Sequence, residues 1–240
     1  MRKELVALAA RNNAEWCDVI CRANGRGGEF HDGLWLNQHG TPRFYPDAVT
    51  LVGPAADADI LDSISAAMAE HSGRGWAVKD SFACIDLAAL GFTKLFDAEW
   101  ISCDPLAEHH SHLGVAARII RNETELVIWS QAWNEGVSPA DIPFKSTLLR
   151  EPALRFVQVE RSGTIIGGGI LSEAAGVVGL SNVFTVGADT DAVWQALIGC
   201  ADESFPDCPL VGYERGEDLD AACRNGFRPI GPLRVWHRPE

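Results

Sequence analysis

Four groups of residues in this chain carry side chains that could do chemistry. His109, His110 and His112 follow Glu108 in one short stretch and form the chain's histidine cluster. Metal sites on a single element usually place their ligands on one face, as two histidines four apart do. No cysteine pair or HExxH pattern closes a site around this cluster, so it reads as an exposed linker. Ser81, in Lys79-Asp80-Ser81-Phe82, has an acid and a base beside it. It lacks the Gly-x-Ser-x-Gly elbow, no histidine is placed to activate it, and it reads as a cap for the following helix. Gly25-Arg26-Gly27-Gly28 neither follows a clear strand nor precedes a helix, so it fails the context of a phosphate loop. Tyr213, Glu214 and Arg215 stand at the end of an expected strand. By themselves they read as a half-buried aromatic followed by a solvated turn pair.

The elements that must position these residues repeat. Residues 76–101 and 210–236 both run from a short apolar strand through a polar turn to a short helix with Asp and Leu. Both then reach Gly-Phe and a closing strand that ends in Trp100 or Trp236. Upstream of each lies a strand, an acidic loop and a helix. Earlier still, NAEWCDVICRANG and ELVIWSQAWNEG each read as an amphipathic helix carrying Trp and ending at Gly. The order of matching pieces predicts two related α/β units, a truncated one over residues 1–105 and a complete one over 116–240.

In the complete unit a strand at 116–121 and a helix at 124–135 are followed by a Pro-interrupted segment at 137–150. A three-stranded meander then turns at Ser162-Gly163 and continues through TIIGGGILSEA to VVGLSNVF. Gly167, Gly168 and Gly169 in the middle of it predict a bulge or a close backbone approach. Helix 190–203, strand 209–213, helix 217–224 and strand 230–237 complete the pattern.

Composition bounds the partners. With 33 acidic against 20 basic residues the formal net charge is −13. Nucleic-acid affinity comes largely from Lys and Arg neutralising phosphates, so neither a nucleic acid nor an anionic membrane surface is expected. No apolar run approaches the length of a membrane span, and no leader-like segment opens the chain. Seven scattered cysteines do not make a disulfide framework. They fit a reducing cytoplasm, with Cys17 and Cys21 on one buried helical face. The eight tryptophans read as packing residues.

An antiparallel meander, a helix, a strand, a second helix and a closing strand after Asn225-Gly226-Phe227 and Pro229-Ile230-Gly231 resemble the GNAT acetyltransferase superfamily. The resemblance implies an α/β fold with a mixed, mostly antiparallel sheet flanked by helices. It implies a cleft where the fourth and fifth strands part, and acetyl-CoA or another acyl-CoA as cofactor. The segment carried over for that cofactor is Asn182, Val183, Phe184, Thr185, Val186 and Gly187, with Thr190 at the start of the next helix. There the backbone N–H groups and the helix dipole would cradle a pyrophosphate. This loop has one glycine and no arginine, and it carries Asp189 and Asp191, which read as the acidic start of an ordinary helix. The position of the family's usual tyrosine is Ala222, so the resemblance implies Tyr213, near the cleft mouth, as the catalytic acid with Glu214 beside it. Two functional expectations result: acyl transfer to a small amine, or a non-catalytic binding protein that kept the fold and lost its phosphate loop.

Overall fold

The computed structural model describes residues 2–53, 57–71, 73–104, 114–134 and 141–240. The histidine cluster and the start of the Pro-interrupted segment lie outside the described residues. The chain divides into two compact units, Met1–Trp100 with Ile230–Glu240, and Ile101–Pro229.

The first unit begins with α1 (Arg2–Ala23). Its buried positions Val6, Ala9, Ala10, Ala14, Cys17, Ile20 and Cys21 recur at helical spacing and make one apolar face. Cys17 and Cys21 do share that face. Burial pushes the Cys17 thiol up to about 11 and raises Cys21 as well, so neither is a reactive thiolate. The Gly25–Gly28 segment forms the turn that ends α1, with the Gly25 N–H donating to the Arg22 carbonyl at 2.9 Å. After it come β1 (Glu29–His31), β2 (Leu34–Leu36), β3 (Ala48–Thr50), α2 (Asp57–Glu70), β4 (Trp76–Asp80) and β5 (Thr93–Cys103). Asp80 is fully buried and accepts N–H bonds from Phe82 at 3.2 Å and Ile85 at 3.0 Å. The capping expected of Ser81 is therefore done by Asp80, whose two carboxylate oxygens reach donors that a single hydroxyl does not. The short helix expected after it is a single 3-10 turn, Ala88–Leu90.

The second unit contains β6 (Val115–Ile119), α3 (Glu123–Trp133), β7 (Leu154–Arg161), β8 (Thr164–Ala174), β9 (Val177–Thr185), α4 (Thr190–Ser204), β10 (Leu210–Glu214) and α5 (Gly216–Arg224). Its sheet runs β10-β9-β8-β7-β6, with β9 and β10 parallel and the others antiparallel. This is the mixed, mostly antiparallel sheet with flanking helices that the sequence predicts. Helix α3 starts at Asn122, whose side chain accepts the Glu125 N–H at 3.0 Å. One face of the sheet packs with α4 and α5 around Val157, Leu171, Leu180, Leu197, Ala222 and Phe227.

The last strand, β11 (Arg228–Arg238), forms as expected, but most of it belongs to the first unit. There it pairs antiparallel with β4, Trp236 opposite Val78, and Trp236 is buried in that unit's core. Conversely, Ile101 at the end of β5 packs in the core of the second unit. Alternation of apolar residues marks a strand but carries no label for its partner, so the sequence could not allot these two strands.

Gly226 has φ of 94°, directly after the C-cap Asn225, so it takes the left-handed position expected from Gly-Phe. A Gly226→Val variant is expected to lose roughly 1–2 kcal/mol or more, because a β-branched residue is strained there. A denaturant melt that overlays the wild type would refute it.

Candidate active site

The site is built where β9 and β10 part. They pair only through Leu210 with Val178 and Val211 with Gly179. Past this point β9 continues to Thr185 and β10 to Glu214 without further pairing between them, which opens a wedge between two parallel strands. A bulge shapes the β9 side. Opposite β8, Gly168 pairs with Phe184 but Ile170 pairs with Ser181, so Asn182 and Val183 both face Gly169. Asn182 sits at φ 53°, a left-handed conformation that Asn tolerates better than most residues. An extra residue of this kind breaks the ladder and turns the strand. The bulge predicted from the triple glycine is thus present, with its extra residue on the neighbouring strand.

The close approach is present as well. A Cβ on Gly168 would lie 2.5 Å from the Val157 carbonyl and 2.6 Å from Trp129 Nε1. That space is used by Trp129, which is fully buried and donates to the Val157 carbonyl at 2.9 Å. Its ring meets Phe144, Phe156 and Phe184 edge-on at centroid distances of 5.5, 5.4 and 5.3 Å. Phe184 is thereby fixed from behind, next to the bulge.

Beyond β9 the chain passes Val186 and Gly187 into α4. The Val186 N–H is already given to the Ile166 carbonyl at 2.8 Å, so it is not one of the donors that line the wedge. Asp189 is the N-cap of α4, yet its carboxylate makes no capping bond. It pairs instead with Arg161, at the end of β7, at 2.6 Å. Asp191 accepts from Asn225 Nδ2 at 2.9 Å and lies 3.2 Å from Arg224. The acidic helix start expected of these aspartates is present, with Asp189 as N-cap and Asp191 in the first turn, but the Asp189 carboxylate bonds Arg161 rather than a backbone N–H, since a charged guanidinium is the stronger partner. Both carboxylates have side-chain partners. The amino end of α4 therefore keeps its partial positive charge without a side-chain cap. Arg161 reaches the loop as the partner of Asp189. Nothing in the sequence signals this, because Arg161 reads only as the last residue before a turn.

Glu214 and Tyr213 end β10, both half-buried. Burial pushes the Glu214 carboxyl up to about 8, and the nearby Asp218 carboxylate adds to the rise. Among the described residues no cation forms an ion pair with it. A carboxyl held this way is a proton acceptor and donor near neutral pH, unlike the solvated turn residue its sequence context suggests. Ala222 is fully buried in the core, at the place where the resemblance expects a tyrosine. Among the described residues no group of three or more His, Cys, Asp or Glu could hold a metal ion. No described helix is long and apolar enough to cross a membrane.

A meander opening into a wedge between parallel strands, with a bulge on one side and a helix amino end beyond it, defines the GNAT fold, and solved structures bear this out. A GCN5-related N-acetyltransferase from Kribbella flavida is similar over 97% of this chain and 96% of its own, with TM-score 0.63 and 15% identity. A functionally unknown conserved protein from Staphylococcus epidermidis is similar over 90% and 94%, with TM-score 0.65 and 10% identity. A tandem GNAT protein from the clavulanic acid biosynthesis pathway is similar over 86% and 78%, with TM-score 0.56 and 13% identity. No family model matches the chain, and no curated protein matches its sequence. At these identities the likeness is one of fold.

Proposed function

We propose that the chain is an acyl-CoA-dependent N-acyltransferase that acylates a small amine. The observation that carries this reading is Glu214, a carboxyl raised to about 8 at the end of the strand that borders the wedge. A neutral amine that attacks must lose a proton as the C–N bond forms, and a carboxylate with this affinity accepts it as pH approaches about 8. The groups at the other end of the wedge suit a phosphorylated donor: the end of α4 that Asp189 leaves without a capping bond, with Gly187 and Thr190 beside it. Such a donor supplies a thioester, an acyl carbon already activated toward amines. The residues of this chain then do three things. The β9 backbone around the Asn182 bulge orients the acyl group, with Val183, Phe184 and Thr185 forming its wall. Glu214 accepts the proton of the amine as the new C–N bond forms. Tyr213 gives its phenolic proton to the sulfur as the C–S bond breaks, and solvent exchange restores both groups.

Ala222 and the absence of an arginine within the loop itself favour a second reading, a binding protein that kept the fold without catalysis. Isothermal titration with acetyl-CoA, with desulfo-CoA as control, separates the two. Micromolar binding is expected, and it makes an amine screen the next step. No binding at millimolar ligand would overturn the acyl-CoA reading and leave the non-catalytic one.

A further inference from the structure

Arg161 ends β7, Asp189 stands before the first turn of α4, and the two side chains meet at 2.6 Å. Two helix starts in the second unit show what this contact changes. At α3 the N-cap Asn122 has an extended backbone, φ −141° and ψ 165°, and its side chain accepts the Glu125 N–H at 3.0 Å. That is the ordinary capping arrangement. At α4 the N-cap Asp189 has φ −91° and ψ 32°, and its side chain takes no backbone N–H. Asp caps helices about as well as Asn, so residue type does not account for the difference. What Asp189 has is the Arg161 guanidinium, which donates to its carboxylate.

The contact matters because of the donors beside it. The hydrogen-bond ladder of α4 begins with the Val193 N–H, which is given to the Asp189 carbonyl at 3.0 Å. The N–H groups of Thr190, Asp191 and Ala192 come before it, and those of Asp191 and Ala192 are the ones an N-cap side chain accepts. A carboxylate on them would occupy the donors that an anion uses, and would set a negative charge beside it. Both members of the ion pair are part-exposed, so the pair by itself adds little to stability. Its effect is on where one carboxylate goes.

We infer that Arg161 is a positioning residue for the phosphorylated donor. By holding the Asp189 carboxylate it keeps the first-turn N–H groups of α4 open to an anion. It acts through Asp189 and is not itself a ligand of the donor. The site is the one already described, and the identity of the anion rests on the acyl-CoA reading.

The test is calorimetric titration with CoA of the wild type, Arg161→Gln and the double variant Arg161→Gln/Asp189→Ala, together with amide hydrogen exchange in α4. Arg161→Gln is expected to weaken CoA about tenfold, the amount that a competing N-cap takes. It is also expected to slow exchange at the Asp191 and Ala192 N–H groups. In the double variant no carboxylate is left to compete, so CoA should bind within about threefold of the wild type. A merely structural role gives no such recovery, because the second substitution would add to the damage. A double variant as weak as Arg161→Gln overturns the inference and makes Arg161 a direct ligand of the donor. So does an Arg161→Gln variant with wild-type affinity. A wild type that binds no CoA at millimolar ligand overturns the acyl-CoA reading instead. Exchange then decides alone: slower exchange in Arg161→Gln than in the wild type supports the positioning, and equal exchange removes it.

Discussion

Replacing Glu214 by Gln is expected to make the protein more stable at alkaline pH and, on the proposed function, to cost about 10²–10⁴ in turnover. The two effects share one cause. The folded carboxyl is raised to about 8 from an ordinary 4.5. Below the unfolded value the group is protonated in both states and contributes no pH dependence. Between the two values the folded protein keeps a proton that the unfolded chain releases, so wild-type stability falls as pH rises. Above about 8 the penalty is complete and constant. Gln cannot ionise, so the gap in melting temperature between variant and wild type should be near zero at acid pH, open with rising pH, and level off beyond about 8. At its full extent the gap corresponds to roughly 3 kcal/mol or less, once solvent screening of this half-buried site is allowed for. Melting curves across pH check this without knowledge of any substrate. A gap that does not change with pH would show that the carboxyl is not held in its neutral form, and the proposed base would go with it. In the enzyme assay the wild-type rate should climb as pH approaches about 8, and the variant should lose that limb.

Trp129→Ala is expected to produce the largest loss of stability, about 3–5 kcal/mol, the range for removing a buried large aromatic. Three phenylalanine rings meet the indole edge-on and would be left around a void. The Val157 carbonyl would also lose the indole N–H that it accepts at 2.9 Å. The consequence reaches the wedge, because Phe184 belongs to β9 two residues after Asn182 and is braced by this ring. Trp129→Phe keeps most of the volume but not the N–H, and should lose less. Urea melts measure both variants. A loss of under about 1 kcal/mol for Trp129→Ala would mean that the cluster closes over the void, against the tight fit around Gly168.

Much of this protein is fixed by local pattern. Strand alternation, the Ser162-Gly163 turn, the Gly-Phe helix ending and the triple glycine are short-range signals, and each corresponds to an element of the structure. A left-handed glycine after a helix is a property of a few adjacent residues, so Gly226 is legible without a fold. Tyr213 and Glu214 could be picked out as residues able to move protons, and the Asn182–Val186 strand as a candidate wall. What their environment does to them is another matter. The raised pKa of Glu214 comes from burial and from Asp218, a turn away on α5, and neither is written in a strand ending Tyr-Glu-Arg.

The same limit governs the loop before α4. Read alone, Asp189 and Asp191 at a helix start are caps that would repel an anion. In the structure Arg161 pairs with Asp189 and the Asn225 amide donates to Asp191, and these partners stand 28 and 34 residues off in sequence. The sequence by itself determined the elements and their order, because those depend on residue type and near neighbours. Only the tertiary structure decided which strand closes which unit, where each carboxylate points, and which one keeps its proton. Strand pairing, ion pairing and desolvation all join residues far apart in the chain, and their outcome is set by which partners the packed core brings within reach.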